Sequence, residues 1–154
     1  MIRYSSRIVI DRPPAEVFEA LIDPSRYGQW TDMVDLRFDT AGPPRVGTRG
    51  QFRLAKGPIK GPLDVELIEL VPNRRVIFRI VHPWLAWTAT SELERVGDGT
   101  QLVYAGEVGL RGWRRLLEPF MAGEVRGGEA HEAQRLKVLL ESEPVAKEAA
   151  VAST

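Results

Sequence analysis

The sequence predicts a single α+β domain in which a curved antiparallel sheet of about seven strands surrounds a long C-terminal helix. Three observations lead to this prediction: an alternating apolar pattern in the first ten residues, a series of short strand-like segments separated by glycine and proline, and a helical apolar period near the C-terminus. The 154 residues, 44% hydrophobic and 27% charged, have the size and composition of one globular domain. We expect the domain to span residues 1–142 and a flexible tail to follow at residues 143–154.

The N-terminal segment predicts a strand and then two short helices. Apolar or small residues alternate with polar ones along the strand, which gives it one buried face: Ile2, Tyr4, Ser6, Ile8 and Ile10. The pair Pro13-Pro14 ends the strand and suits the first turn of a helix, which apolar spacing extends to Ile22. Asp23-Pro24 ends that helix, and residues 26–30 predict a second one.

The middle of the chain predicts six more strands joined by tight turns. Each strand alternates apolar and polar residues, and turns rich in glycine, proline or asparagine separate the strands. The clearest hairpin signal is Gly97-Asp98-Gly99, which joins the last two strands. The inner rows of the last five strands are Gly50, Phe52 and Leu54; Leu63, Val65 and Leu67; Val76, Phe78 and Ile80; Trp87, Ala89, Ser91 and Leu93; and Leu102, Tyr104 and Val108.

A long helix is predicted from Trp113 to Glu141. Apolar residues at helical spacing form its inner stripe: Leu116, Leu117, Phe120, Met121, Val125, Leu136, Leu139 and Leu140. Its charged residues are assigned to the solvent side, among them Glu129, Glu132, Arg135 and Lys137. The segment from Gly123 to Gly128 is a poor helix former and predicts a kink or a loosened turn.

This order of elements predicts an internal cavity. A sheet with one apolar face needs a cover, and a helix contacts a twisted sheet closely along only part of its length. Small residues on the inner face would leave room: Ser6, Gly50, Ala89, Ser91 and Gly106. We expect a small apolar molecule to bind there against Phe52, Phe78, Trp87, Ser91, Tyr104, Met121 and Val125. The alternative is that the aromatic residues fill a tight core.

Composition argues against several classes of function. The formal net charge is zero, from 21 basic and 21 acidic residues, so bulk electrostatics does not favour nucleic acid as a partner. The chain has no cysteine, and His82 and His131 are isolated in the sequence, so we predict no metal site and no cofactor. Because no signal peptide or long apolar stretch is visible, we expect a cytoplasmic protein without integral membrane association.

His82 and Tyr104 are the candidate catalytic residues. His82 ends a predicted strand on its inner face, where an imidazole can act as a general acid or base. Tyr104 is predicted on a cavity wall with Ser91 on the neighbouring strand, and its hydroxyl can donate to a carbonyl or enolate oxygen. The alternatives are a turn histidine bonded to backbone or water, and a tyrosine anchored in the core.

Five segments of the chain carry landmarks of a known family. They are the opening strand and helix at residues 8–18, Asp23-Pro24 followed by Trp30, the glycine-containing segment at residues 46–49, the turn at residues 69–76, and the hairpin at residues 97–104. Together they resemble the SRPBCC superfamily (START-like, helix-grip fold), in its polyketide cyclase/dehydratase-like branch. The resemblance extends over nearly the whole chain and implies the helix-grip fold. It does not fix the activity, because that superfamily includes lipid carriers, aromatase/cyclases and quinone-binding proteins.

Three functions are compatible with this fold, and we rank them in order. The first is binding of a small hydrophobic ligand such as a lipid, an isoprenoid or an aromatic polyketide. The second is a metal-independent cyclase or dehydratase in which His82 is the base and Tyr104 or Ser91 holds the oxygen. The third is a protein-partner module that uses the outer face of the sheet or the loop at residues 55–61, with apolar residues at the pocket rim as further candidates: Trp84, Leu85 and Trp113. The sequence leaves the oligomeric state open.

Overall fold

The structure is a computed structural model that describes residues 1–57 and 59–144. It has the predicted α+β helix-grip architecture. The strands are β1 (Ile2–Ile10), β2 (Met33–Phe38), β3 (Arg49–Leu54), β4 (Leu63–Val71), β5 (Arg75–His82), β6 (Leu85–Val96) and β7 (Gly99–Leu110). The α-helices are α1 (Pro14–Ile22), α2 (Tyr27–Trp30) and α3 (Glu118–Ser142), with 3-10 turns at Pro24–Arg26 and Gly112–Leu117.

All seven strands belong to one antiparallel sheet with the order β1-β7-β6-β5-β4-β3-β2. The consecutive strands β1 and β2 therefore lie at opposite edges, and α1 and α2 carry the chain from one edge to the other. Helix α1 packs on β5, β6 and β7, whereas α2 contacts β2 and α3. Helix α3 packs mainly on β1, with further contacts to β7 and α2. Two separate covers, α3 and the short helices, thus share the inner face.

The alternating pattern of the strands places their apolar rows inward. The buried residues include Ile2, Tyr4 and Ile10 of β1, Phe52 of β3, Leu63, Val65 and Leu67 of β4, Val76 and Ile80 of β5, Trp87 and Leu93 of β6, and Leu102, Tyr104 and Val108 of β7. Because side chains alternate between the two faces of a sheet, this register places every buried row on the face that the helices cover.

The beginning of the long helix differs from the prediction. Residues Gly112–Leu117 form a 3-10 helix, and α3 begins at Glu118, where Pro119 suits the first turn. Leu116, Leu117 and Phe120, predicted on the inner stripe, are exposed to solvent. Helix α3 is continuous through the segment from Gly123 to Gly128, where we expected a kink or a loosened turn.

The end of α3 is held against the segment that follows β1. Arg12 donates from Nη2 to the Glu143 carbonyl oxygen at 2.6 Å, and Arg26 forms an ion pair with the Glu143 carboxylate. Glu143, which we assigned to the tail, therefore belongs to the packed domain. Residues 145–154, the rest of the predicted tail, lie outside the described residues.

Two of the small inner residues serve close packing rather than open space. A Cβ atom at Gly106 would overlap the Tyr4 hydroxyl and lie 2.5 Å from the Thr88 carbonyl oxygen. A Cβ atom at Gly50 would overlap the Arg37 carbonyl oxygen. These glycines are required because another chain segment approaches their backbone closely, so they add no volume to the interior.

We predict that Gly106→Ala lowers the free energy of unfolding by about 1–3 kcal/mol, the usual cost of overpacking. Gly127→Ala is the matched control, since this helical glycine has nothing within 4 Å of an added Cβ atom. It should raise the free energy of unfolding by about 1 kcal/mol through helix propensity. Urea denaturation of both variants checks the two signs, and a stabilised Gly106→Ala variant would contradict the close approach.

Candidate functional site

An apolar cavity of about 30 Å³ lies between the short helices and the inner face of the sheet. Its wall takes side chains from α1, α2 and strands β2 to β7: Leu21, Tyr27, Trp30, Met33, Leu36, Phe52, Val65, Phe78, Ile80, Ala89, Ser91 and Tyr104. One water molecule needs about 10–15 Å³, and pockets for organic ligands hold roughly 300–1,000 Å³. The interior is therefore largely filled by its own side chains, and an organic ligand requires some of them to move.

The structure brings together four of the seven predicted ligand-binding residues. Those that line the cavity are Phe52, Phe78, Ser91 and Tyr104. Trp87 is buried on the same sheet face, but its Nε1 donates a hydrogen bond to the Tyr4 hydroxyl at 2.8 Å, away from the cavity lining. Met121 and Val125 pack against the core from the first half of α3 and do not line the cavity.

The short helices and β2 supply five lining residues that the sequence prediction missed. Leu21 comes from α1, Tyr27 and Trp30 from α2, and Met33 and Leu36 from β2 at the far edge. Local periodicity indicated the helices but not the surface that they cover. One signal for this packing is present in the sequence: the short second helix carries two aromatic residues, Tyr27 and Trp30. A helix of four residues is too short to bury two such side chains by itself, so it must pack against a larger surface.

Aromatic rings form the middle of the cavity wall. The Trp30 ring lies edge-on to Tyr104 with 6.0 Å between ring centroids, and it lies 5.2 Å from the Tyr27 ring. Tyr27 also meets Phe78 edge-on at 6.3 Å. Its hydroxyl donates to the Leu21 carbonyl oxygen, which ties α2 to the end of α1. Edge-on and tilted contacts of this kind stabilise a specific arrangement of the rings.

Trp30 has a polar atom without a partner. Its side chain is 1% exposed, and its Nε1 has no hydrogen-bond acceptor among the described residues. The indole N–H can only donate, so no other atom of the ring relieves this loss. A buried unsatisfied donor costs about 1–3 kcal/mol. A residue of the cavity wall therefore carries a buried hydrogen-bond donor that has no acceptor among the described residues.

Two glutamates of α3 lie buried beside Tyr104, where we had predicted the solvent side. Glu129 is 8% exposed and Glu132 is 9% exposed. Tyr104 donates from its hydroxyl to Glu132 Oε2 at 3.1 Å, and the Asp32 backbone N–H donates to Glu132 Oε1 at 3.4 Å. Glu129 Oε2 has no hydrogen-bond partner among the described residues.

The prediction that both glutamates face solvent is wrong because a charged side chain on a helix is not necessarily exposed. Counting by helical spacing from the buried Leu136, the positions four and seven residues earlier are Glu132 and Glu129. Both glutamates therefore share the face of α3 that packs on the sheet. The sequence shows this spacing. It does not show that tyrosines of β1, α2 and β7 lie next to the two glutamates in the fold.

Burial sets the ionisation of this carboxyl pair. Desolvation, with a further contribution from the neighbouring Glu132, raises the pKa of Glu129 to about 9. Desolvation also raises the pKa of Glu132 and, on the other side of the contact, the pKa of Tyr104. Two carboxyl groups this close in a desolvated site do not both ionise readily, so the pair holds a proton at neutral pH.

His82 lies away from this cluster. It pairs with Leu85 at the end of the β5–β6 hairpin, whereas Tyr104 pairs with Ser91 six residues further along β6. Six residues of extended strand span about 20 Å. The His82 ring packs edge-on against Trp84 at 5.1 Å, and its Nδ1 is buried without a hydrogen-bond partner among the described residues. The structure therefore does not bring the two candidate catalytic residues together.

The residues proposed for a protein-partner surface differ in exposure. Leu85 is buried, Trp84 is half-buried, and Trp113 is exposed. The Arg114 guanidinium lies over the Trp84 ring at 4.8 Å and over the Trp113 ring at 5.0 Å, a cation–π arrangement that covers part of both rings. The three residues therefore do not form one exposed apolar surface.

Comparison with protein families gives a match over almost the whole chain. The model of the family described as "Polyketide cyclase / dehydrase and lipid transport" matches residues 1–141. Comparison with curated protein sequences gives no match. In the described part of the chain, the helices are too short or too polar to cross a bilayer.

Several solved structures share the fold. DynU16, a protein from the dynemicin biosynthetic locus, aligns with a TM-score of 0.66 and 21% identity over 92% of this chain, which spans only 48% of DynU16. CalU16 from Micromonospora echinospora aligns with a TM-score of 0.66 and 22% identity, covering 94% of this chain and 78% of CalU16. Protein MLL2253 from Mesorhizobium loti has a TM-score of 0.70 and 20% identity, covering 93% and 99%. At this identity the likeness concerns the fold.

The carboxyl pair predicts a pH-dependent stability. The pKa of Glu129 in the folded chain is about 9, above its ordinary value of 4.5, so between these values the folded state binds more protons than the unfolded state. The free energy of unfolding therefore falls as the pH rises from 4.5 towards 9, by at most about 1.4 kcal/mol per pH unit for one proton. Thermal unfolding between pH 5.5 and 8.5 measures this slope.

Glu129→Gln should flatten the slope, because an amide has no proton to lose in this range. Glu124→Gln is the matched control, since Glu124 lies exposed on the same helix. Glu124→Gln should show the same pH slope of the free energy of unfolding as the unmodified chain. Equal slopes for Glu129→Gln and the unmodified chain would contradict the assignment of the bound proton to this pair.

Proposed function

Since the chain belongs to the polyketide cyclase / dehydrase and lipid transport family, we propose that it binds a small hydrophobic molecule between its short helices and its sheet. The observation that carries the proposal is the apolar cavity, to which eight elements of the fold contribute side chains. A tight structural core needs no such gap, because interiors are ordinarily packed to the density of organic crystals. Lipids, isoprenoids and aromatic polyketides are the ligand classes that this lining suits.

The ligand gains its space by displacing side chains. A cavity of about 30 Å³ admits no organic molecule as it stands. Leu36 and Phe78 line the cavity and are also partly exposed, so they separate it from solvent. Trp30 and Phe52 on the same wall are fully buried, each with 1% of its surface exposed. Rotation of Leu36 and Phe78 is therefore the least costly way to open the interior.

The position of His82 favours a binding function over the cyclase or dehydratase alternative in which His82 is the base. That alternative needs a base within hydrogen-bond reach of a substrate held by Tyr104. His82 lies about six strand residues away along the sheet, so its role as the base stays a prediction without geometric support. A cytoplasmic location and the residues 55–61 as a partner surface also stay predictions.

We predict that the chain binds N-phenyl-1-naphthylamine, a neutral apolar fluorescent probe, saturably and at one molecule per chain. Phe78→Ala should accelerate association about tenfold, the factor for a barrier lowered by about 1.4 kcal/mol, because the variant lacks the ring that closes the cavity. Stopped-flow fluorescence measures the association rates of the unmodified chain and of the variant.

Phe120→Ala is the matched control for this experiment. Phe120 is 83% exposed and lies outside the cavity, so its removal should leave the association rate unchanged. A rate that responds to Phe120→Ala and not to Phe78→Ala would place the probe on the surface. Absence of saturable binding to the unmodified chain would contradict the proposed function.

A further inference from the structure

The unpartnered Trp30 indole N–H specifies the kind of atom that a ligand must present. Trp30 lines the cavity, and its Nε1 is buried without an acceptor among the described residues. An indole nitrogen donates one hydrogen bond and accepts none. A purely hydrocarbon ligand would leave this donor unsatisfied, whereas a ligand with an acceptor oxygen would remove the cost of burying it.

The buried glutamates specify the charge that a ligand must not carry. Tyr104 lines the cavity and its hydroxyl is bonded to Glu132, so the carboxyl pair lies directly behind the cavity wall. The groups that interact with the pair from other parts of the fold include Tyr4, Tyr27, Tyr104 and Asp32. None of them is cationic. In the described part of the chain no lysine, arginine or histidine forms an ion pair with Glu129 or Glu132.

An anionic ligand would therefore meet a negative field with no cation to offset it. Any ionised carboxylate of this pair lies in a desolvated site, where electrostatic repulsion of a second anion is poorly screened. Arg135 of the same helix is engaged in an ion pair with Asp32 at 3.4 Å. The field of the site thus disfavours fatty acids and other carboxylates.

We infer that the cavity binds a neutral apolar molecule that carries a carbonyl oxygen, and that this oxygen accepts a hydrogen bond from Trp30 Nε1. The inference rests on the proposed function and adds the chemical class of its ligand. Ketones and aldehydes combine the required features, since their oxygen accepts two hydrogen bonds and carries no charge. The carboxyl pair contributes by excluding anions rather than by contacting the carbonyl group.

Three probes of one shape test the inference on the full chain at pH 7. They are 2-acetylnaphthalene as the ketone, 2-isopropenylnaphthalene as the hydrocarbon of equal shape, and 2-naphthoate as the anion. The affinity of each probe is measured in a competition titration by its displacement of bound N-phenyl-1-naphthylamine. We expect the ketone to bind roughly three- to tenfold more tightly than the hydrocarbon, the gain of one hydrogen bond to a free donor. The naphthoate should bind more weakly than either.

Trp30→Phe tests the donor. This variant keeps an aromatic ring in the wall and lacks the N–H, so the preference for ketone over hydrocarbon should fall to about one. Trp113→Phe is the matched control, because Trp113 is exposed outside the cavity, and it should keep the preference. The double variant Glu129→Leu/Glu132→Leu, which lacks the carboxyl pair, should improve binding of naphthoate relative to the ketone, whereas Glu124→Leu should not.

The carbonyl stretch of bound 2-acetylnaphthalene gives a second measurement that needs no variant. On the unmodified chain, infrared spectroscopy with a 13C-labelled carbonyl should show the band at lower wavenumber than in hexane, as for a hydrogen-bonded ketone. A band at the hexane position, equal affinity for ketone and hydrocarbon, or a preference that survives Trp30→Phe would overturn the inference. If N-phenyl-1-naphthylamine itself does not bind saturably, the proposed function fails; if it binds and none of the three probes displaces it, the inference alone fails.

Discussion

The position of Tyr104 in the middle of β7 connects the two covers of the sheet. Its ring meets Trp30 of α2 at 6.0 Å between centroids, and its hydroxyl donates to Glu132 of α3 at 3.1 Å. One side chain thus forms part of the cavity wall and holds the polar contact with the long helix. A shift of either helix would move Tyr104 and change the cavity together with the carboxyl pair. The apolar interior and the buried acids are for this reason one site.

The strands could be predicted from the sequence because a period of two reports directly which side chains point inward. Phe52, Phe78 and Tyr104 were placed on the inner face by that rule alone. Trp30 was missed as a lining residue because its position depends on the order of the strands. Only when β1 and β2 lie at opposite edges must α2 cross the inner face. Glu129 and Glu132 were missed because their partners, the tyrosines, come from distant parts of the chain.

The helix-grip fold fixes the position of the interior but not its contents. Solved structures with 20–22% identity share the architecture, and at this distance most inner side chains can differ. In this chain Gly50 and Gly106 admit neighbouring segments, aromatic and aliphatic side chains line the cavity, and the buried Trp30 Nε1 and Glu129 Oε2 have no hydrogen-bond partner among the described residues. Under the proposed binding function, selectivity for a ligand depends on Trp30 and the carboxyl pair, and access depends on the side chains that close the cavity.

Isotope-filtered NMR on the chain with bound N-phenyl-1-naphthylamine tests most directly whether the interior is the binding site. With 13C-labelled methyl groups, we predict intermolecular NOEs from the probe to Leu21, Met33, Val65 and Ile80, which line the cavity from four different elements. NOEs confined to methyl groups near the exposed Leu116 and Leu117 would show that the probe binds outside the domain core. That result would contradict an interior that opens to receive a ligand.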